Sequence, residues 1–169
     1  MKIVEVTQQY EDALKLKNEA FSMPGRLIPH LESGAWTYRV EMFSAPQTMT
    51  FPEEAYTLNG EYDYLAAYEG QRCVGLAVFQ NGFFRYRYLA DLKVCADARG
   101  KGVGKKLIQA GLAKAKEQGC IGLYTIAQDN NLNACMFYLR TGFEIGGFDN
   151  RGYDGTSQQG KADIYFYLK

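Results

Sequence analysis

Three glycines at alternate positions, Gly100, Gly102 and Gly104, stand where a strand-like run ends and a helical pattern begins. That spacing lets a backbone turn with its N–H groups pointing inward, and a helix that starts there adds its unpaired first-turn donors. The product is a cradle for an anion, above all a phosphate. Arg99, Lys101, Lys105 and Lys106 surround it with positive charge, which a bound phosphate would use and a plain solvated glycine turn would not need. Two familiar phosphate loops do not fit. A Walker loop needs a Ser or Thr hydroxyl for magnesium after its lysine, and Lys105-Lys106 offers none. The dinucleotide fingerprint puts its third glycine three residues after the second, whereas Gly104 comes directly after Val103, with no βαβ unit in register around it.

A second set of residues has the spacing of one helical stripe. Asn131, Ala134 and Tyr138 fall at i, i+3 and i+7, with a polar residue at each end and a small one between that would admit a ligand. A tyrosine at this spacing also serves a packed core and needs no further function there. Asp91 is the one carboxylate on the strand that ends at Val94. It could take a proton from an ammonium, or pair with Arg85 or Arg87, with which it shares a face by strict alternation. Residues 51–70 hold Glu53, Glu54, Glu61, Asp63 and Glu69 without a Lys or Arg. Segregated negative charge of this kind attracts a cation, unless it is simply a solvated acidic loop.

These groups must be positioned by one domain spanning residues 1–169. With 169 residues, 47% of them hydrophobic, the chain can bury a full core. Its 19 basic and 19 acidic side chains cancel, which argues against nucleic acid or an anionic membrane as partner. No apolar run has the length of a signal peptide core or a membrane span, so a cytoplasmic protein is expected, monomeric or a homodimer. Cys73, Cys95, Cys120 and Cys135 are scattered and His30 is the single histidine, so the expectation is reduced thiols and no metal site.

Residues 2–6 alternate like a strand, and Thr7 is placed to cap a helix running to about Phe21. All four prolines, Pro24, Pro29, Pro46 and Pro52, fall within 22–60, which predicts short helical pieces and loops there, with a substrate-binding flap or a connector as its use. Runs at 62–69 and 72–80 read as strands, and Asn81-Gly82 as a type I′ turn into the next strand, which ends at Val94. A helix over 102–118 stops at Gly119, followed by a strand at 121–128 reached by a crossover and so parallel to its neighbour. A helix over 132–140 ending at Gly142, then strands at 143–148 and 162–168, complete an α/β domain.

Arg-Gly-Lys-Gly-Val-Gly at 99–104 resembles the pyrophosphate loop of the GNAT superfamily of acetyl-CoA-dependent N-acetyltransferases, and Asn131, Ala134, Tyr138, Gly142 and Phe143 fill that family's Asn-x-x-Ala-x-x-x-Tyr-x-x-x-Gly-Phe pattern. The two motifs together cover roughly residues 84–148. Trp36-Thr-Tyr, Asp91, Gln128-Asp-Asn-Asn-Leu with Ala134-Cys135, and Gly142-Phe-Glu-Ile-Gly further resemble the streptothricin acetyltransferases, which acetylate an amine of a cationic antibiotic. The resemblance implies a mixed, mostly antiparallel twisted sheet of about seven strands with helices on both faces, the fourth and fifth strands of this reading parallel and splayed. It implies acetyl-CoA as co-substrate, held by Arg99 to Lys105, by Asn131 and Ala134, and by Leu92 and Val94 on the exposed edge of the bulged fourth strand. Leu92 or Val94 would also polarise the thioester carbonyl.

Under the same resemblance Tyr138 is the general acid beside the coenzyme sulfur. Asp91 is the candidate base, and Trp36, Tyr38, Glu61 and Asp63 are acceptor-binding candidates. One departure matters: the subgroup commonly has Glu-Asp where this chain has Ala90-Asp91, so a role carried by that Glu does not transfer. The expected acceptor is a primary amine of a small cation, streptothricin by preference. The rival readings are a peptide or protein α-amine acetyltransferase and, in another class, an acyl-CoA-binding module without turnover.

Overall fold

The computed structural model describes residues 1–169. In chain order the strands are β1 (Lys2–Glu5), β2 (Phe21–Glu32), β3 (Ala35–Met49), β4 (Asp63–Glu69), β5 (Arg72–Asn81), β6 (Tyr86–Val94), β7 (Gly122–Gln128), β8 (Glu144–Asp149) and β9 (Asp163–Leu168). Helix α1 (Val103–Glu117) precedes β7 and α2 (Leu132–Thr141) follows it. Seven strands form one mostly antiparallel sheet in the order β1-β4-β5-β6-β7-β9-β8, and β2-β3 is a separate pair. The parallel pair is β6/β7. These correspond to the fourth and fifth strands expected from the sequence, since the hairpin strands β2 and β3 add two that the sequence does not predict. No helix is long and apolar enough to cross a membrane.

The chain divides into two compact units, one of residues 1–19, 50–124 and 169, the other of 20–49 and 125–168. In the first, β1, β4, β5 and β6 pair antiparallel in sequence. Val4, Val6, Ala13, Leu14, Tyr64, Ala66, Tyr68, Leu76 and Val78 fill one side of this sheet. Helix α1 packs on β4, β5 and β6 with its buried stripe of Val103, Leu107, Ile108 and Ala115. Residues 74 to 79 of β5 are therefore buried in an unbroken run, as befits a strand covered on both faces. Two glycines permit the approach: a Cβ at Gly75 would lie 2.9 Å from Val103 Cγ1, and one at Gly111 would lie 2.2 Å from the Phe79 ring.

The second unit holds the β2/β3 hairpin, the later part of β7, α2, β8 and β9. Its core includes Leu27, Leu132, Cys135, Tyr138, Phe143, Ile164 and Phe166. Asp129 is the fastener: its N–H donates to Ala162 O (2.8 Å), its C=O accepts from the Leu27 N–H (3.0 Å), and its carboxylate accepts from the Ala162 N–H (3.0 Å) and pairs with Arg26 at 3.6 Å.

Three sequence expectations are corrected. Residues 8–15 form 3-10 turns broken at Tyr10 (φ −119°, ψ 21°), not a helix to Phe21. The Thr7 side chain makes no capping bond, and the buried residues Ala13 and Leu14 are consecutive, so no helical stripe is anchored. Much of 22–60 is the long hairpin. Met23, Gly25, Leu27 and Pro29 are buried at alternate positions of β2, and prolines are tolerated in a sheet whose strands each have a single neighbour. The two-residue turn is Ser33-Gly34, with φ of 51° and 80°, the type I′ signature. At 81–86 there is no such turn: the connection runs from Gly82 to Arg85, and its positive φ, 55°, is at Phe84.

Replacing Gly111 by Ala should destabilise the protein by about 1–3 kcal/mol, because overpacking against Phe79 outweighs the helix propensity gained. The urea midpoint should fall with the slope unchanged.

Candidate active site

The glycine loop takes the conformation its sequence demands. Gly100 and Gly102 have φ of 74° and 81°, a region that side chains disfavour. Gly102 caps α1 without a side chain and its C=O accepts from the Lys106 N–H at 3.1 Å. Lys101, Lys105 and Lys106 are exposed, whereas Val103 and Gly104 are buried. Val103 can therefore offer a ligand its backbone and not its side chain. Arg99 turns back on the strand: its Nε donates to Val94 O at 3.0 Å and its guanidinium lies 3.9 Å from Glu19.

Strand β6 is bulged at Ala90, since Val78 pairs with Asp91 while Phe79 pairs with Leu89. Its parallel ladder to β7 covers Tyr86, Arg87 and Tyr88 and ends there. The Cys95 N–H bonds to Val74 O on β5 (3.0 Å), so by strand alternation the amides of Leu92 and Val94 face the edge away from β5. That is the edge on which the family resemblance sets the pantetheine amides.

Asp91 does not pair with Arg85 or Arg87. Arg87 bonds to Asp63 and to Asn81 Oδ1, and Arg85 donates to Gly119 O. The bulge breaks the alternation on which the shared face depended. Instead Asp91 Oδ2 accepts from the Tyr56 hydroxyl at 3.0 Å and lies 3.6 Å from Lys93 Nζ. Lys93 is itself buried, bonded to Glu54 at 3.0 Å, with its ammonium 5.3 Å from the centre of the Tyr56 ring. Burial pushes the Asp91 carboxyl up; Lys93 opposes this most, Glu54 adds to it, and the Tyr56 hydroxyl and Leu92 amide draw it back. The Tyr56 hydroxyl is raised by burial and then by Asp91 and Glu54, so it remains a donor. Glu54, Tyr56 and Lys93 were not singled out from the sequence. Glu54 sat among counted acidic residues, and the signal for Lys93 was a lysine inside a strand two places from a carboxylate.

In the other unit, Asn131 caps α2, its Oδ1 accepting from the Ala134 N–H at 3.2 Å. Tyr138 is buried, its ring 5.3 Å from Phe143, 5.5 Å from Phe137 and 5.6 Å from Phe166. These contacts fix the ring plane, whatever the hydroxyl does. Trp36 is half-buried and Tyr38 exposed on β3. Of the acidic candidates, Glu61 is exposed and accepts from Asn59 at 3.5 Å, while Asp63 is committed to Arg87. Glu53 accepts from the Asn18 N–H. The acidic stretch thus spends much of its charge on internal partners. All four cysteines are free thiols, and burial raises Cys73 to about 11 and Cys135 to about 12. That is not the setting of a reactive thiolate.

The first unit carries the glycine loop that opens α1 and the bulged β6 with its outward amides, and the second carries the capped Asn-Ala-Tyr helix. The chain belongs to the acetyltransferase (GNAT) family, whose model matches residues 30–143. Within it the chain is similar to streptothricin acetyltransferase A of Bacillus subtilis (strain 168), 32% identical over 157 residues that cover 90% of each chain. Among solved structures, a Bacillus anthracis str. Ames protein assigned as a streptothricin acetyltransferase, in complex with acetyl coenzyme A, superposes with a TM-score of 0.89 at 29% identity, covering 99% of this chain and 98% of that one. A nourseothricin acetyltransferase shares the fold with a TM-score of 0.80 at 24% identity over 99% and 96% of the two chains.

If Asp91 works as a base it must be ionised, so the acid limb of the pH–rate profile should lie above the ordinary aspartate value of about 3.9. Lys93 lowers the Asp91 pKa. Lys93→Met should therefore move that limb to higher pH, and Lys93→Arg should restore it; initial rates across pH report both.

Proposed function

We propose that this acetyltransferase moves the acetyl group of acetyl-CoA to a primary amine of a streptothricin-like cation. The observation that carries the reading is the similarity to streptothricin acetyltransferase A, which at 32% identity extends over 90% of both chains. The whole chain, 1–169, then acts as one acetyltransferase domain.

In this reading the pyrophosphate lies on the amides of residues 100–104 with Lys101 and Lys105 beside it. The pantetheine amides extend the Leu92 and Val94 edge of β6, as a ligand strand extends a sheet. Asn131 and Ala134 contact the same arm. The acceptor ammonium loses its proton to Asp91, directly or through water. Its nitrogen then attacks the thioester carbonyl, which a β6 amide polarises. The C–S bond breaks, Tyr138 protonates the departing thiolate, and the acylated nitrogen gives up its second proton, which restores the Tyr138 hydroxyl. Trp36 and Glu61 serve the acceptor side. The ammonium of Lys93 beside Asp91 and Glu54 leaves one net negative charge among the three, enough to favour a cation without holding it tightly.

Acetyl-CoA should raise the melting temperature by linkage, and Gly102→Asp, which sets a carboxylate where the phosphate would sit, should abolish the shift. Because Gly102 has φ of 81°, the unliganded variant should also melt at a lower temperature than the parent, and acetyl-CoA should not raise it. Stabilisation by ATP or NAD instead of CoA would overturn the coenzyme assignment.

Tyr138→Phe keeps the ring contacts and removes the hydroxyl. It should cut turnover by roughly a hundredfold or more with little change in CoA affinity. The acceptor is tested by thiol release against streptothricin, polyamines and N-terminal peptides, together with streptothricin resistance in a sensitive bacterium. Transfer to peptides with neither streptothricin acetylation nor resistance would establish the α-amine reading in its place.

A further inference from the structure

The β2/β3 hairpin is unevenly finished. On one face, β2 buries Met23, Gly25, Leu27 and Pro29, and Leu27 is tied to Asp129. On the same face β3 carries Trp36, Tyr38, Val40 and Met42, paired in register with Leu31, Pro29, Leu27 and Gly25. Here Tyr38 and Val40 are each 44% exposed, Met42 is 62% exposed, and Leu31 at the tip is 59% exposed. No third strand joins this sheet, so the outer backbone edge of β3 has no ladder. A long edge with an apolar stripe is a template for another strand, and a two-stranded hairpin is marginal in water unless something covers it.

The charges on β3 say what kind of strand fits. Arg39 and Glu41, both about half exposed, project from the opposite face one step either side of Val40, lie 3.4 Å apart as an exposed pair that a partner strand can exchange at little cost, and are the charged residues of the segment Ala35–Met49. Antiparallel pairing with an identical strand about a two-fold axis at Val40 sets Arg39 of each copy opposite Glu41 of the other, twice. It also sets Tyr38 opposite Met42 and Val40 opposite itself. Centring the axis on the neighbouring positions would place Arg39 on Arg39 or Glu41 on Glu41, so like-charge repulsion rejects those registers. Beyond Met42 the strand leaves the β2 register, because Met23 pairs with Gln47 and Gly25 with Met42, and Pro46 lies in the segment looped out. The edge available for pairing is thus short, and two-fold use consumes it, giving a closed dimer and not a fibre. The formal net charge of zero sets no long-range repulsion against association.

We propose that β3 is a homodimerisation strand, paired antiparallel with β3 of a second copy about Val40 and keyed by reciprocal Arg39–Glu41 ion pairs. This takes Tyr38 from the acceptor side to the subunit interface. It does not depend on which amine is acetylated.

Light scattering and sedimentation across a dilution series should give twice the chain mass of 19.0 kDa. Arg39→Glu and Glu41→Arg should each weaken the dimer by about tenfold or more, and the double exchange R39E/E41R should restore it. Both positions are exposed, so an unchanged melting temperature of diluted monomer will show that the variants fold. Val40→Cys should form an intermolecular disulfide under mild oxidation that the parent, with its four native thiols, does not form. Tyr38→Cys, which faces residue 42 of the other copy, should not. A monomer at every concentration overturns the proposal. So does a dimer that ignores the charge exchange and the Val40 cross-link, since it would then use another surface.

Discussion

The buried ammonium of Lys93 is the constraint around which the first unit is arranged. Taking such a charge out of water costs several kcal/mol unless it is closely paired. Glu54 and Asp91 meet that requirement from two directions, at 3.0 and 3.6 Å. Satisfying Lys93 therefore fixes the path of a segment without regular secondary structure. Glu54 reaches the strand from that segment, Tyr56 follows with its hydroxyl on Asp91, and Asn18 secures the start through Pro52 O at 2.7 Å. The carboxylate proposed to take a proton is the one that balances the buried charge. A residue chosen for chemistry and a residue needed for folding are here the same residue, so variants at Asp91 will report on both.

What the sequence displayed and what it hid differ in how local the cause is. The loop at 99–104 was legible because its glycines answer to backbone geometry, and Gly100 and Gly102 take the positive φ that glycine permits. The α1 and α2 stripes were legible because helical burial repeats at 3.6 residues. Resemblance supplied the roles of Leu92, Val94 and Tyr138, and the bulge at Ala90 agrees with the expected irregularity of that strand. The hairpin is hidden because its prolines read as breakers and because Pro24 and Ile28 stand between the buried positions Met23, Gly25, Leu27 and Pro29, so no clean apolar–polar alternation shows. The Asp91 environment was hidden for another reason. Tyr56 and Glu54 lie over thirty residues away, and one bulge residue changed which side chains Asp91 could meet.

Both units solve close approach by deleting a side chain. Gly75 and Gly111 let α1 sit against β5, and Gly146 leaves room for the Tyr167 ring, which would lie 2.4 Å from a Cβ there. Small residues at these points set the helix and strand spacing, and with it the position of the glycine loop that begins α1. Loop conformation and core packing are thereby joined through one helix.

The three backbone and side-chain bonds of Asp129 have a consequence in time. Leu27 and Ala162 lie on opposite sides of Asp129 in the sequence and far from each other, so closing this knot requires most of the chain to be present. The Ser33-Gly34 turn, by contrast, closes within four residues. We expect the hairpin to zip early and remain undocked until the last strands arrive, with its β3 edge open to other nascent chains throughout that interval. Pulse-labelled amide exchange, slow to protect Leu27 and quick to protect the turn-proximal pairs, would record that order. The looped-out stretch bearing Pro46 then acts in a temporal role as well: it shortens the sticky edge while the chain is least able to cover it.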